Sequence, residues 1–222
     1  GIGRRQRQMC IRDRILSADI LKLEEEVRFL DLNGADYIHI DIMDGHYVPN
    51  ITFGPNIVKS LRKVTSKILD VHLMIKPVKQ YINEFIEAGS DIITFHPEVD
   101  DNPEEIIKKI CDAEIKAGIA IHPKVNIADI DHLFSKVQQI IVMTVTPGFG
   151  GQKFMHDQVQ KIKDLDEIRK NNNYNYEIAV DGGVNNENAK ICKDNGADVL
   201  AVGSYLLSQN QNNYNEIINS LR

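Results

Sequence analysis

The sequence predicts a single α/β domain, a (β/α)₈ TIM barrel, and three observations predict it. Strand-like runs alternate with helix-like runs eight times along 222 residues, with no linker or shift in composition between them. That length suits one large domain. Polar, chemistry-bearing side chains gather at the C-terminal ends of the strand-like runs, where barrels build their sites. A doubly wound open sheet is the competing architecture. It ranks lower because no Gly-x-Gly-x-x-Gly follows the first strand and because the strand count is eight.

Composition narrows the class. Hydrophobic residues make up 42% of the chain and the mean hydropathy is −0.28, as expected for a globular protein with a sizeable core. The formal charge of −6 argues against a nucleic-acid partner, though a local dipolar pocket can still hold an anion. No apolar run is long enough to span a bilayer, so no membrane partner is expected. Cys10, Cys111 and Cys192 are odd in number and in no Cys-x-x-Cys spacing. A disulfide framework or structural zinc site is therefore not expected, and a reducing cytoplasm fits best.

Residues 1–14 stand apart. Arg4, Arg5, Arg7, Arg12 and Arg14 fall among glutamines, without the apolar segment of a signal peptide. The expectation is an atypical, non-native N-terminal segment running into a strand at Ile15-Leu16, with the barrel spanning 15–222. Ser17 or Asp19 can cap a helix to about Leu32, whose early Glu24, Glu25 and Glu26 favour its N-terminus. Asn33-Gly34 closes it. The run Tyr37 to Met43 then alternates with period two. Ile38, Ile40 and Ile42 point one way, toward packed helices; His39, Asp41 and Met43 point the other. A long loop with Pro49, Gly54 and Pro55 follows, then a helix over 56–64 and a strand over 67–74. In that strand Asp70, His72 and Met74 share a face. Pro77 opens the next helix, and 92–96 is a strand.

Pro103 starts a helix to Lys116, in the position that favours Pro. A strand over 118–121, a short helix over 127–134 and a strand over 139–145 lead into Pro147-Gly148-Phe149-Gly150-Gly151. A helix over 157–170, a polar Asn171-Asn172-Asn173 loop and a strand over 177–180 end in Asp181-Gly182-Gly183. A helix over 185–195, a strand over 199–202 ending in Gly203-Ser204, and a last helix over 214–221 complete the alternation.

His39, Asp41, His72 and Asp181 thus come from three strand ends. Two imidazoles and two carboxylates suit a divalent metal, Zn, Fe, Mn or Co, and ligand type alone does not choose among these. Taken alone, the His39–Asp41 pair reads equally well as a satisfied core pair. The second constellation is glycine: Gly148, Phe149, Gly150 and Gly151, then Gly182-Gly183, then Gly203-Ser204. These follow three consecutive late strands, where barrel phosphate sites are commonly built from backbone N–H groups. His46, His132 and His156 read as exposed, and His96 and His122 as structural residues near the mouth. Met43, Met74 and Met143 read either as core fillers or as an apolar collar around a reacting carbon.

Together these motifs resemble the ribulose-phosphate 3-epimerase family. The match lies in Ile15-Leu16-Ser17-Ala18-Asp19, His39 to Gly45 with Val48-Pro49-Asn50, Val71-His72-Leu73-Met74, Val145 to Gln152, Val180-Asp181-Gly182-Gly183 and Val202-Gly203-Ser204. The resemblance implies a barrel of the ribulose-phosphate-binding type and one divalent metal on His39, Asp41, His72 and Asp181. It also implies Asp41 and Asp181 as the two proton-transfer residues, a phosphosugar held by Gly150, Gly151, Gly183, Gly203 and Ser204, and a homo-oligomer. The activity implied is interconversion of D-ribulose 5-phosphate and D-xylulose 5-phosphate in the pentose phosphate pathway. One position departs from the pattern. The family's first strand ends Pro-Ser-Ile-Leu, and its substrate-contacting Ser corresponds here to Arg14. Alternatives are an allulose-6-phosphate 3-epimerase and a catalytically silent phosphosugar-binding protein. A decarboxylase or aldolase with an Asp-x-Lys strand is disfavoured by Met43 in the Lys position.

Overall fold

The computed structural model describes residues 9–100, 102–209 and 213–222. Among these, eight parallel strands close into one barrel in sequence order. They are β1 (Cys10–Arg14), β2 (Tyr37–Met43), β3 (Ile68–Met74), β4 (Ile92–Phe95), β5 (Lys116–Ile121), β6 (Gln139–Met143), β7 (Glu177–Asp181) and β8 (Val199–Val202). The ring closes where β1 pairs with β8, Asp13 opposite Val202, and with β2, Arg14 opposite His39.

Period-two alternation divides each strand between two cores. Ile38, Ile40 and Ile42 join Leu69, Val71, Ile178 and Val180 in the large layer between strands and helices. Ala120, Ile141, Met143, Ala179 and Val199 fill the barrel's inside, with Cys10 packed against them. The outer layer is completed by α1 (Leu23–Leu32), α2 (Pro55–Leu61), α3 (Ile82–Glu87), α4 (Pro103–Asp112), α5 (Val159–Asn172), α6 (Asn186–Asp194), α7 (Ser204–Leu207) and α8 (Tyr214–Ser220). Helix α4 shows how the sequence sets such an element. Asn102 accepts from the Glu105 amide at its start, Pro103 stands at the first position, and Ile106, Ile107 and Ile110 make its buried face.

Several elements differ from expectation. The first strand is Cys10–Arg14, and Ile15–Ser17 is a single 3₁₀ turn after it. The arginine-rich stretch therefore enters the barrel from residue 10 on; residues 1–8 lie outside the described part. Asp19 caps a short 3₁₀ turn over Ile20–Lys22, accepting from Leu21 N at 3.0 Å, and α1 begins only at Leu23. A 3₁₀ turn over Lys79–Tyr81 likewise delays α3 beyond Pro77. Between β5 and β6 two 3₁₀ stretches, Ile127–Asp129 and Asp131–Lys136, replace the expected helix. Helix α5 absorbs Asn171 and Asn172 and ends at Asn173, which adopts the left-handed conformation that asparagine tolerates.

Strand β1 carries charge on both faces. Inward, Arg12 is fully buried and donates to Asp70 at 2.7 Å and to Gln139 at 2.5 Å, with its guanidinium 4.6 Å from the Tyr37 ring centre. Outward, Asp13 is buried and neither of its oxygens has a hydrogen-bond partner. Burial, reinforced by the negative charge of Asp36 and only partly offset by Arg222, pushes its carboxyl up to about 8. The folded chain thus keeps a proton that the unfolded chain releases above the ordinary value of 3.8. Stability should fall as pH rises from about 4 to about 8 and level off beyond. Urea unfolding at pH 5 and pH 8 should reveal this loss in the chain and its absence in Asp13→Val, which should also be the more stable protein at both values. An identical pH dependence in the two proteins would contradict this account.

Candidate active site

At the C-terminal end of the barrel, β2 supplies His39 and Asp41, β3 supplies His72 and β7 supplies Asp181. All four are buried, and one donor atom from each lies within 4.8 Å of all the others. The registers that pair Asp41 with His72 and His39 with Asp70 bring the first three together. Asp181 arrives from across the β1–β8 seam, held in place where Thr144 N donates to its carbonyl at 2.8 Å.

Each donor is aimed. His39 places Nδ1 2.5 Å from Asp70, which leaves Nε2 facing Asp41 at 3.5 Å and Asp181 at 3.7 Å. His72 Nδ1 lies 3.1 Å from Asp41 and 3.8 Å from Asp181. Neither His39 Nε2 nor Asp181 Oδ2 has a hydrogen-bond partner, although both are buried. One orphaned imidazole nitrogen and one orphaned carboxylate oxygen, converging beside His72 and Asp41, fit a divalent cation such as zinc, iron or manganese.

One side chain already competes for that charge. Arg14 turns inward from the end of β1; its Nε donates to Asp41 and its Nη1 lies 3.4 Å from Asp181. Burial opposes its charged form, but the two carboxylates hold its pKa above the ordinary arginine value. In return, burial works to raise Asp41, yet the Arg14 charge, the His72 hydrogen bond and the nearby His39 ring hold it well below the carboxylate range. Asp181 is lowered too, burial and Asp41 being outweighed chiefly by Arg14 and His39. Burial likewise opposes a charge on His39, but the Asp70 carboxylate beside Nδ1, with Asp181 and Asp41 facing Nε2, raises it well above its usual value.

The glycine loops stand beside these acids. A narrow cleft is lined by Phe149, Gly150, Gly151, Gly182, Gly183, Gly203, Ser204, Asp181 and Arg14. Gly183 has φ of +64°, and a Cβ there would lie 2.7 Å from the Phe154 amide nitrogen. Only glycine lets the two loops approach so closely. Gly148 is not part of the cleft wall; its carbonyl accepts from Asn50 at 2.7 Å and anchors the loop. Met43 and Met74 pack with Val48, whereas Met143 belongs to the inner apolar cluster, so the three do not form one continuous collar.

A match to the ribulose-phosphate 3-epimerase family model spans residues 10–207. The chain belongs to the ribulose-phosphate 3-epimerase family. Among curated relatives, the ribulose-phosphate 3-epimerase of Bacillus subtilis is 43% identical over 196 residues, covering 88% of this chain and 90% of the relative. That of Escherichia coli K12 is 37% identical over 218 residues, covering 97% and 96%. Solved structures carry the fold alone. KGPDC from Streptococcus mutans superposes with a TM-score of 0.72 at 14% identity, covering 96% of each chain. A tryptophan synthase α-subunit from Pyrococcus furiosus gives 0.70 at 14% identity, again covering 96% of each.

Two features of this epimerase-family site lay beyond the sequence reading. Asp70 was visible on the face of His72 but without a role, and the strand register turns it toward His39. His96, expected to be structural, is fully buried with Nε2 3.1 Å from Nε2 of His72. Burial pushes His96 down to about 4, so it is neutral. His122 lies farther out, its ring centre 6.5 Å from that of His96, while His46, His132 and His156 are exposed. Among the described residues no helix is long and apolar enough to cross a membrane.

Proposed function

We propose that the chain is a ribulose-phosphate 3-epimerase that interconverts D-ribulose 5-phosphate and D-xylulose 5-phosphate by proton transfer at C3 between Asp41 and Asp181. The observation that carries this reading is the pair of buried carboxyl groups. They come from β2 and from β7, on either side of the β1–β8 seam, and their donor atoms lie within 4.8 Å. Acids so placed can touch one carbon from two directions.

The two sugars differ only at C3, next to the C2 carbonyl. An ionised carboxylate takes the C3 proton, the C–H electron pair moves toward C2, and the negative charge collects on the carbonyl oxygen as an enediolate. The second carboxyl group, protonated at the outset, returns a proton to the opposite face. The two acids end with exchanged protonation and serve the reverse reaction. A divalent cation held by His39, Asp41, His72 and Asp181 would supply Lewis-acid stabilisation of the oxygen charge, worth several kcal/mol. Gly150, Gly151, Gly183, Gly203 and Ser204 hold the phosphate remotely. Phe149, 52% exposed at the lip of the cleft, is placed to cover bound sugar and exclude water. Self-association and a cytoplasmic location belong to the same proposal; the first rests on the family resemblance and the second on the number and spacing of the cysteines.

The position of Arg14 favours a second reading, a phosphosugar-binding protein without turnover. Incubating ribulose 5-phosphate with the chain and Zn²⁺ or Mn²⁺ in deuterium oxide decides between them. Deuterium at C3 with xylulose 5-phosphate formation is the result expected of the epimerase; binding without exchange would leave the silent reading standing. Allulose 6-phosphate assayed in parallel should exchange more slowly.

A further inference from the structure

The loop after β6 carries Gly148, Gly150 and Gly151, and Gly148 and Gly151 take φ of +129° and +74°. Glycine lets a peptide plane turn over at little cost. For an anion that freedom is a hazard. A trans peptide presents N–H on one edge and C=O on the opposite edge, so a flipped plane puts a carbonyl where a donor is needed. Two side-chain amides hold these planes.

Gln152 folds back over its own loop. Its Nε2 donates to the Thr146 carbonyl at 2.6 Å and to the Phe149 carbonyl at 2.9 Å, which uses both hydrogens of that amide. Asn50 reaches across from the loop after β2. Its Nδ2 donates to the Gly148 carbonyl at 2.7 Å, while Oδ1 accepts from the Ile51 amide at 2.9 Å and so fixes which way the group faces. The base of this tether is firm, because Thr52 bonds back to β2: its hydroxyl donates to the Asp41 carbonyl at 2.7 Å and its amide to the Met43 carbonyl at 3.1 Å.

The carbonyls of Thr146, Gly148 and Phe149 are thus all held by side chains. With the Phe149 carbonyl on the Gln152 side, the N–H of the same peptide, which belongs to Gly150, turns the opposite way. Neither that N–H nor the one of Gly151 has an acceptor among the described residues, and both glycines line the cleft.

We propose that Gln152 and Asn50 are positioning residues which lock the peptides of the 148–150 stretch so that the Gly150 N–H stays available to a phosphate group. Gln152 acts through the backbone, having no donor left for the anion. The peptide orientation stands by itself; its use in holding a sugar phosphate rests on the epimerase reading.

Inorganic phosphate titrated into the full chain, followed by ¹H–¹⁵N amide spectra, tests it. In the unaltered chain the Gly150 and Gly151 signals should move and saturate. Gln152→Met keeps the length of the side chain without its donors, and Asn50→Leu does the same on the other loop. Each should weaken phosphate binding by about 10-fold, the order expected when one hydrogen bond to a charged group is lost, and each should shrink the Gly150 shift. Zn²⁺ affinity should stay at the parent value in both, since His39, Asp41, His72 and Asp181 are untouched. A merely structural role would lower the melting temperature without changing phosphate affinity. Unchanged phosphate affinity in either variant, or a Gly150 signal that phosphate leaves unmoved in the unaltered chain, would overturn the proposal. Absence of C3 exchange alongside the expected phosphate results would instead remove the epimerase reading and leave this one intact.

Discussion

Replacing Arg14 by Ser should strengthen divalent-cation binding on the order of 100-fold and raise the rate of C3 exchange with it. The guanidinium makes two charge-assisted contacts, to Asp41 and Asp181, inside the barrel. Each such contact is worth about 1.5–3 kcal/mol, and a cation must replace at least one of them. Arginine cannot give up its charge to make room. It also holds both carboxyl groups low, so that both are ionised, whereas the reaction needs one to carry a proton.

A serine there removes the competing charge and leaves the carboxylates to the histidines and the metal. The metal-free variant should be the less stable protein, because its buried acids lose a counter-charge. Zn²⁺ should then restore its melting temperature by more than it raises that of the parent. Arg14→Lys is the control, since a retained cation should leave metal binding weak. Equal Zn²⁺ affinity in Arg14, Ser and Lys proteins would show that Arg14 does not occupy the cation's place.

Strand β1 also shows why part of this fold was hard to read. A strand is found in sequence through its alternating apolar positions, and Cys10–Arg14 offers only Ile11 on its outward face, because Asp13 occupies the next outward position. Its inward Arg12 and Arg14 look like surface residues until Asp70, Asp41 and Asp181 arrive from other strands to pair with them. Pairing with β2 and β8 makes it a strand, and that information is not local. Strand β2 was legible for the opposite reason: three isoleucines alternate with His39, Asp41 and Met43, so pattern and packing agree. Three of the four candidate ligands, His39, Asp41 and His72, followed from that alternation repeated in β3, and Asp181 from the end of β7. The contact of His96 with His72 did not, since His96 lies past the end of β4, at the start of a 3₁₀ turn that no period announces.

With Arg14 replaced, Asp41→Asn and Asp181→Asn should each lower the rate of inversion at C3 by about 10²- to 10⁴-fold, the share commonly carried by one general acid or base. An amide keeps the shape of the side chain but neither takes nor delivers the proton, and inversion requires both events. The losses should not add in the double variant, because one missing partner already prevents passage from one face to the other. Binding of a phosphosugar should survive in all three, since the wall built from Gly150, Gly151, Gly183, Gly203 and Ser204 is untouched. The two single variants should also differ from each other. An enzyme lacking only the returning acid can still lose the C3 proton to its remaining base and regain it on the same face. One substrate epimer would then exchange deuterium without inverting, and the variant at the other acid would show this with the opposite epimer. Near-normal inversion in either Asn variant would mean that a single group, or solvent, handles both faces, and the two-acid mechanism would be wrong.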